Sequence, residues 1–265
     1  MLVATWNVNS VKARIETIVN WLKEASPDVA LFQETKCEDH AFPRLEFESL
    51  GYNLALHGQK SYNGTAILSK FPIDEQKPKL PGGDSDDHAR YIEAVISSPT
   101  GAIRVGSLYL PNGNPIGSDK FAYKLAWMDR LISHARGLLK LEEPLVLAGD
   151  YNVIPEPGDA RYPENWTRDA LFQPETRLKF RELINLGFTD AVRAVVNDGG
   201  VYTFWDYQAG AWQKNNGIRI DHLLLSPQAA DRLVAVGADK PIRAWERPSD
   251  HIPVWIDLAL AARSA

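Results

Sequence analysis

Six apolar runs in this 265-residue chain are bounded at one end by side chains that handle charge or protons. Asn7 closes Leu-Val-Ala-Thr-Trp, Glu34 follows Val-Ala-Leu-Phe-Gln, and Tyr109 and Asn112 close Gly-Ser-Leu-Tyr-Leu-Pro-Asn. Asp150 and Asn152 end Leu-Val-Leu-Ala-Gly-Asp-Tyr-Asn, Asp221 lies in Arg-Ile-Asp-His-Leu-Leu-Leu-Ser, and Asp250 and His251 precede Ile-Pro-Val-Trp-Ile-Asp-Leu. Strand ends hold side chains on a rigid frame, and ends at one edge of a sandwich converge. Taken singly, a strand-end Asp or Asn is more often a turn cap than a catalyst. Glu34 is harder to dismiss, because a carboxylate directly after an apolar strand is costly unless paired or metal-bound. His222 alternates with Asp221, so the two point to opposite faces and His222 reads as structural.

The set is oxygen-rich with one imidazole, that of His251. It suits a hard divalent cation, Mg²⁺ or Mn²⁺, held by one or two carboxylates, with the rest of its shell left to water and substrate phosphate. The single cysteine, Cys37, is too few for a thiolate zinc site or an internal disulfide and fits a reducing compartment. Phosphoryl chemistry needs a metal on a phosphate oxygen, a group that orients or deprotonates water, and donors around the developing charge. Glu34, Asp150 and the group Asn7, Asn152, Tyr109 and His251 are the candidates for these roles.

What must position them is a sheet-rich frame. Apolar runs bounded by Gly, Pro, Asn or Asp predict strands at the six sites above and in Tyr-Asn-Leu-Ala-Leu-His-Gly, Gly-Thr-Ala-Ile-Leu-Ser and Tyr-Ile-Glu-Ala-Val-Ile-Ser-Ser. Ile15, Ile18, Val19 and Leu22 recur at helical spacing, with Ser10 placed to cap the start and Pro27 to mark the end. Longer helical patterns run over about 119–140 and 174–186, and 156–168 reads as a Pro-rich surface loop. Hairpin strands outnumber helices, so the expected fold is α/β, with two packed sheets flanked by helices, and residues 1–265 as one domain. Neither a Gly-rich dinucleotide fingerprint nor regular alternation of strand and helix is present, which excludes a Rossmann fold. No run is long enough to span a membrane and none resembles a signal peptide, so a cytoplasmic protein is expected. The formal charge of −5 does not advertise a polyanion partner, although phosphate binding needs only one local basic face.

Read in order, "ATWNVNS" (4–10), "QETKC" (33–37), "NGTAILSKFP" (63–72), "LYLPNG" (108–113), "GSDKFAYK" (117–124), "AGDYNV" (148–153), "YTFWDY" (202–207), "RIDHLLLSP" (219–227) and "SDHIPV" (249–254) resemble the exonuclease III family of apurinic/apyrimidinic endonucleases. That family lies within a superfamily that includes deoxyribonuclease I and inositol polyphosphate 5-phosphatases. The resemblance implies a four-layer α/β sandwich with two mixed β-sheets. It implies an enzyme that incises double-stranded DNA 5′ to abasic sites, leaving a 3′-hydroxyl, with 3′-to-5′ exonuclease and 3′-end-cleaning activity. By the same resemblance Glu34 is the principal metal ligand, with Asn7 beside it and Asp250 supporting the metal side. Asp150, held by Asn152, positions or deprotonates the attacking water. His251, paired with Asp221, binds the scissile phosphate opposite that water, while Tyr109 and Asn112 grip phosphate oxygens. Three positions depart from relatives. Asn9 stands where some carry an Asp metal ligand, which argues against a tight second metal site; Pro115 stands where vertebrate members insert an Arg into DNA; Phe204 replaces a Trp of some bacterial members.

Lys36, Lys60, Lys120, Lys124, Lys214 and Arg219 lie in or beside loops that follow strand ends, where they would form a basic rim for a DNA backbone. Phe204, Trp205, Ile218 and Ile220 are expected to line a pocket for a base-less sugar. That apolar set disfavours the main rival, a phosphatase or phosphodiesterase acting on a phosphoinositide, lipid head group or RNA. A scaffold with a dead site would be expected to lack Glu34, Asp150 or His251, and all are present. The expected partner is DNA with abasic sites or blocked 3′ ends, bound by a monomer.

Overall fold

The structure, a computed structural model, describes residues 1–260. Its strands are β1 (Leu2–Asn7), β2 (Val29–Gln33), β3 (Asn53–His57), β4 (Thr65–Ser69), β5 (Ile73–Pro78), β6 (Tyr91–Ser98), β7 (Gly101–Tyr109), β8 (Leu145–Asp150), β9 (Thr189–Asp190), β10 (Asp221–Leu225), β11 (Leu233–Ala238) and β12 (Val254–Leu258). The helices are α1 (Ile15–Ala25), α2 (Arg44–Glu48), α3 (Asp119–Leu139), α4 (Pro174–Asn185), α5 (Ala191–Val195) and α6 (Pro227–Ala230). One sheet has the order β11-β12-β1-β2-β4-β3 and the other β5-β6-β7-β8-β10-β9. Pairs β1/β2 and β7/β8 are parallel, and each needs a long crossover, which α1 and α3 supply; the remaining pairs are antiparallel.

Alternation along each strand builds four layers. Val3, Val29, Leu31, Ile67, Ile96, Val105, Val146, Leu223 and Ile256 meet between the sheets. The alternate residues Ala4, Trp6, Ala30 and Phe32 face outward onto Ile18, Trp21 and Leu22 of α1. On the other side Leu108, Leu147 and Leu224 meet Trp127 and Leu131 of α3 and Phe180 and Leu183 of α4. The expected sandwich is therefore the observed one. Along the inner faces the pattern changes character toward one end. Val3 gives way to Thr5 and Asn7, Leu31 to Gln33, Val105 to Ser107 and Tyr109, and Ala148 to Asp150, while Leu223 on antiparallel β10 is preceded by Asp221. Polar contacts join the sheets there, as in the 3.0 Å bond from Gln33 Nε2 to Ser107 Oγ. The middle of the interlayer is thus apolar and one end is not.

β5, β9 and β11 were not marked by sequence pattern. β5 and β11 are edge strands, and β5, Ile-Asp-Glu-Gln-Lys-Pro, is exposed along most of its length, so one unpaired side carries charges and a proline instead of alternating apolar residues. Ser10 does not cap α1: its Oγ accepts from Ala13 N at 3.3 Å in the preceding turn, and the helix starts at Ile15 after Arg14. Among the described residues no helix is long and apolar enough to cross a membrane.

Candidate active site

The polar end of the interlayer is assembled by strand register. Asp150 lies beside Tyr109 in the β7/β8 pair and opposite Asp221 in the β8/β10 pair. A Cβ on Gly149 would lie 1.9 Å from Leu108 O, so only glycine lets β8 approach β7 this closely just before Asp150. Loops leaving β1, β2 and β8 hold non-glycine residues in the left-handed region: Asn9 (φ 45°), Glu34 (52°), Lys36 (54°) and Asn152 (47°). Strained backbone of this kind persists where surrounding bonds over-determine it, and it clusters at functional sites.

Those bonds are numerous. Asn7 Nδ2 donates to Glu34 Oε1 and to Asp150 Oδ2, both at 2.9 Å, bridging the sheets and the two carboxylates. Asn152 N donates to Asp150 Oδ1 at 2.9 Å, while its side chain donates to Leu110 O and accepts from Asn112 Nδ2. His251 Nδ1 lies 2.8 Å from Asp221 Oδ2, and its Nε2 lies 3.7 Å from Asp150 Oδ2. Ser249 ties this segment to β1 by donating to Asn7 O at 2.7 Å and accepting from His251 N. Asp250 Oδ1 accepts from Asn9 Nδ2 at 3.0 Å. Lys36 Nζ sits 2.9 Å from Glu34 Oε2 and 2.6 Å from Asn9 Oδ1.

Burial and charge set the protonation states. Burial pushes the Asp150 carboxyl up, Asp221 and Glu34 add to the rise, and His251 and the Asn152 N–H only partly offset it, leaving it at about 7. Burial alone would lower the His251 pKa, but Asp221 and then Asp150 outweigh it and hold the imidazole up at about 10, so it carries its proton at neutral pH. Burial would raise Glu34, yet Lys36 and Asn7 bring its carboxyl below the usual range. Burial, Glu34 and Asp150 push the Tyr109 phenol well above its ordinary value, so it stays a neutral donor.

Two oxygen-rich sets follow. Asp150, Asp221 and His251 offer ligand atoms within 4.8 Å of one another, but the imidazole is protonated and engaged with Asp221, which suits proton handling better than metal ligation. Around Glu34, the Asn7, Asn9 and Asp250 side chains add oxygen donors, and the cation among them is the Lys36 ammonium. That hard, oxygen-only set fits a divalent ion such as Mg²⁺.

Other expected residues fall elsewhere. Phe204 packs its ring 5.0 Å from that of His251 and joins Ile218 and Ile220 in one apolar cluster with Ile154 and Leu171. Trp205 is buried in a separate cluster with Tyr202, Ala211 and Ile252. Asn112, Lys60, Lys120 and Lys214 are exposed. Lys124 and Arg219, expected on the basic rim, are both fully buried. Lys124 donates to the backbone carbonyls of Asn112 and Asn152, and burial brings its pKa down to about 7. Arg219 is ion-paired with Asp159 at 2.7 Å and Asp190 at 2.8 Å, and so fastens the chain entering β10. His222 lies on the outer face against Tyr151 and Phe180, with burial bringing its pKa down to about 4. Arg90 was missed by sequence reading, since no apolar run marks it. Its guanidinium lies 4.7 Å over the Tyr109 ring and donates to Tyr109 O.

The description "Endonuclease/Exonuclease/phosphatase family" applies to residues 4–251, a match that spans every strand-end residue above. The chain belongs to that family. Within it, the chain is 32% identical over 268 residues to exodeoxyribonuclease III of Haemophilus influenzae, covering 96% of this chain and 98% of the relative. A 3′ phosphatase from Neisseria, solved with a product DNA hairpin, is 36% identical and superposes with a TM-score of 0.93 over 97% of this chain and 99% of that one. An AP endonuclease from Archaeoglobus fulgidus is 35% identical, also with a TM-score of 0.93, covering 98% and 99%. This member of the endonuclease/exonuclease/phosphatase family is thus an enzyme of the exodeoxyribonuclease III type.

Proposed function

We propose that this enzyme hydrolyses phosphoester bonds of double-stranded DNA, incising 5′ to abasic sites to leave a 3′-hydroxyl and clearing blocked 3′ ends, with 3′-to-5′ exonuclease activity and Mg²⁺ as its cation. The observation that carries the proposal is a buried carboxyl titrating near neutrality that faces a charged imidazole across 3.7 Å. A general base is most effective with a pKa near the working pH. Ionised Asp150, aimed by the Asn152 and Asn7 donors, takes a proton from the attacking water. His251, its Nδ1–H held by Asp221, offers Nε2–H to a phosphate oxygen as negative charge builds there. Tyr109 and Asn112 donate to the remaining phosphate oxygens. Glu34, Asn7 and Asp250 would hold the cation, which when bound supplies a Lewis acid for a phosphate oxygen.

Phe204, half-buried against His251 and packed on the buried Ile218 and Ile220, would receive a sugar that has no base to unstack, which is the least costly nucleotide to flip. Lys36, Lys120 and Lys214 hold phosphates, Lys120 from the exposed first turn of α3 and Lys214 from an exposed turn. The printed names of the relatives, an exodeoxyribonuclease, a 3′ phosphatase and an AP endonuclease, support the DNA substrate. In this reading residues 1–265 act as one domain, as a monomer in the cytoplasm. The test is a duplex oligonucleotide carrying one abasic analogue and a second carrying a 3′-phosphate, each with Mg²⁺ or with excess chelator, beside an undamaged duplex and a phosphoinositide. Cleavage of the damaged duplexes that stops in chelator is expected. Preferred phosphoinositide hydrolysis, or full activity in chelator, would overturn the proposal.

A further inference from the structure

Lys124 projects from α3 into the protein with no solvent exposure, and its ammonium lies between two backbone carbonyls, Asn112 O at 3.0 Å and Asn152 O at 2.6 Å. These carbonyls belong to the two loops that follow β7 and β8. Their oxygen ends point at one spot, so without a cation between them the dipoles repel. The loop after β7 closes directly on the lysine stem: Gly113 has φ +89°, and a Cβ there would lie 2.5 Å from Lys124 Cδ. Neutral bonds also join the loops, from Asn112 Nδ2 to Asn152 Oδ1 at 3.3 Å and from Asn152 Nδ2 to Leu110 O at 2.9 Å. Burial brings the Lys124 pKa down to about 7 against the pull of Asp150 and Asp169, so the ammonium form is held at a cost, and an apolar side chain of equal length would fill the space without that penalty. Packing alone does not explain it.

We propose that Lys124 is a positioning residue whose ammonium pins the Asn112 and Asn152 carbonyls and so fixes the loop that grips phosphate relative to the loop that aims Asp150. The proposal rests on the roles given above to Asn112 and Asp150. The Asn152 carbonyl held by Lys124 belongs to the same left-handed residue whose N–H donates to Asp150 Oδ1. Release of that carbonyl frees the residue to relax and turns its N–H away from Asp150. Misplacement of a reacting group by about 1 Å costs on the order of 10²-fold in rate.

The experiment compares full-length wild type, Lys124→Met and Lys124→Ala on the abasic duplex in Mg²⁺, with thermal melting and amide hydrogen exchange on each protein. Lys124→Met is expected to lower kcat by about 10²-fold with a smaller change in KM. Exchange should quicken in 110–114 and 150–154 while the strands of the first sheet keep their protection. Ethylammonium should restore part of the kcat of Lys124→Ala, and ethanol at equal concentration should not, a difference that a purely steric role would not produce. Wild-type kcat in folded Lys124→Met, or unchanged exchange in both loops, would overturn the proposal. If wild type itself cleaves neither damaged duplex, the functional reading fails, and the exchange data alone still decide whether Lys124 holds the loops.

Discussion

Replacing Asp221 with Asn removes one charge from the buried site and leaves its shape. The carboxylate oxygens lie 2.8 and 3.1 Å from His251 Nδ1, and Asp221 is the strongest of the groups that raise this imidazole against its burial, from 6.5 to about 10. A rise of that size favours the charged ring by about 5 kcal/mol. An opposite charge in contact accounts for roughly 1–3 units, so the variant's imidazole should titrate about that much lower. Because the folded pKa is raised, His251 stabilises the fold fully below 6.5 and loses that contribution as pH rises through about 10. In the proposed mechanism catalysis shares the sign: the alkaline limb of the rate profile should report loss of the proton that His251 offers to phosphate. The acid limb reports Asp150, which must be ionised and whose pKa of about 7 is itself raised in part by Asp221. Both limbs of Asp221→Asn should therefore move to lower pH together, while loss of a charge-assisted hydrogen bond slows the plateau by about 10- to 150-fold. Single-turnover incision of the abasic duplex across pH, at saturating Mg²⁺, measures this. His251→Gln and the double variant should be about equally slow, since each change breaks the same unit. A fixed alkaline limb, or a double variant that loses the product of the single losses, would refute the coupling.

Glu34→Gln removes a carboxylate from the oxygen set, and the Mg²⁺ concentration for half-maximal rate is expected to rise at least about tenfold, since affinity follows ligand charge; an unchanged metal titration would exclude Glu34 as a ligand. Phe204→Ala opens the wall beside His251, and should slow abasic incision while narrowing the ratio of initial rates on abasic and intact duplexes at fixed salt, with metal dependence unchanged; a constant ratio would place damage recognition outside this wall. Far from the site, the Glu93 side chain is 1% exposed and accepts from Tyr91 Oη at 2.7 Å and His134 Nε2 at 2.6 Å. Burial would raise its carboxyl, but His134 and Tyr91 bring it below 4.5, so its contribution is present above 4.5 and lost as pH falls through the folded value. Urea unfolding of Glu93→Gln should show a loss of about 3 kcal/mol at neutral pH that narrows in acid, and a loss independent of pH would contradict the ionised pairing.

The two sheets were legible because most of their strands have one face in the interlayer and the other under a helix, leaving apolar runs with a polar end. Edge strands gave no such signal: β5 pairs on one side only and is largely exposed. For the site, spacing identified the strand-end residues, since Asn7, Tyr109, Asp150 and Asp221 come together through pairing and alternation, which are local rules. Which lysines face solvent is not local. Lys124 recurs with Trp127, Met128 and Leu131 on the buried face of α3, and only the loops arriving from β7 and β8 show why a cation is tolerated there. Arg219 is likewise drawn inward by Asp159 and Asp190, residues distant in sequence. Arg90 owes its place to the Tyr109 ring across the β6/β7 pair, which no apolar run announces.

Net charge misleads for the same reason. Glu34, Asp150, Asp221 and Asp250 converge on one end of the interlayer, and the cations among them are the His251 imidazolium and the Lys36 ammonium. With all four acids ionised the site is short of positive charge by two units, the charge of one divalent ion, and an arriving phosphate deepens that deficit. In the proposed function this imbalance would disfavour an arriving phosphate until a cation enters, and Asp221 and Glu34 contribute to the raised pKa of Asp150. Acidic composition and a polyanionic substrate are therefore compatible: the carboxylates that make the chain acidic include those that would recruit the metal, while in the proposed function exposed Lys120 and Lys214 would meet phosphates outside that buried set.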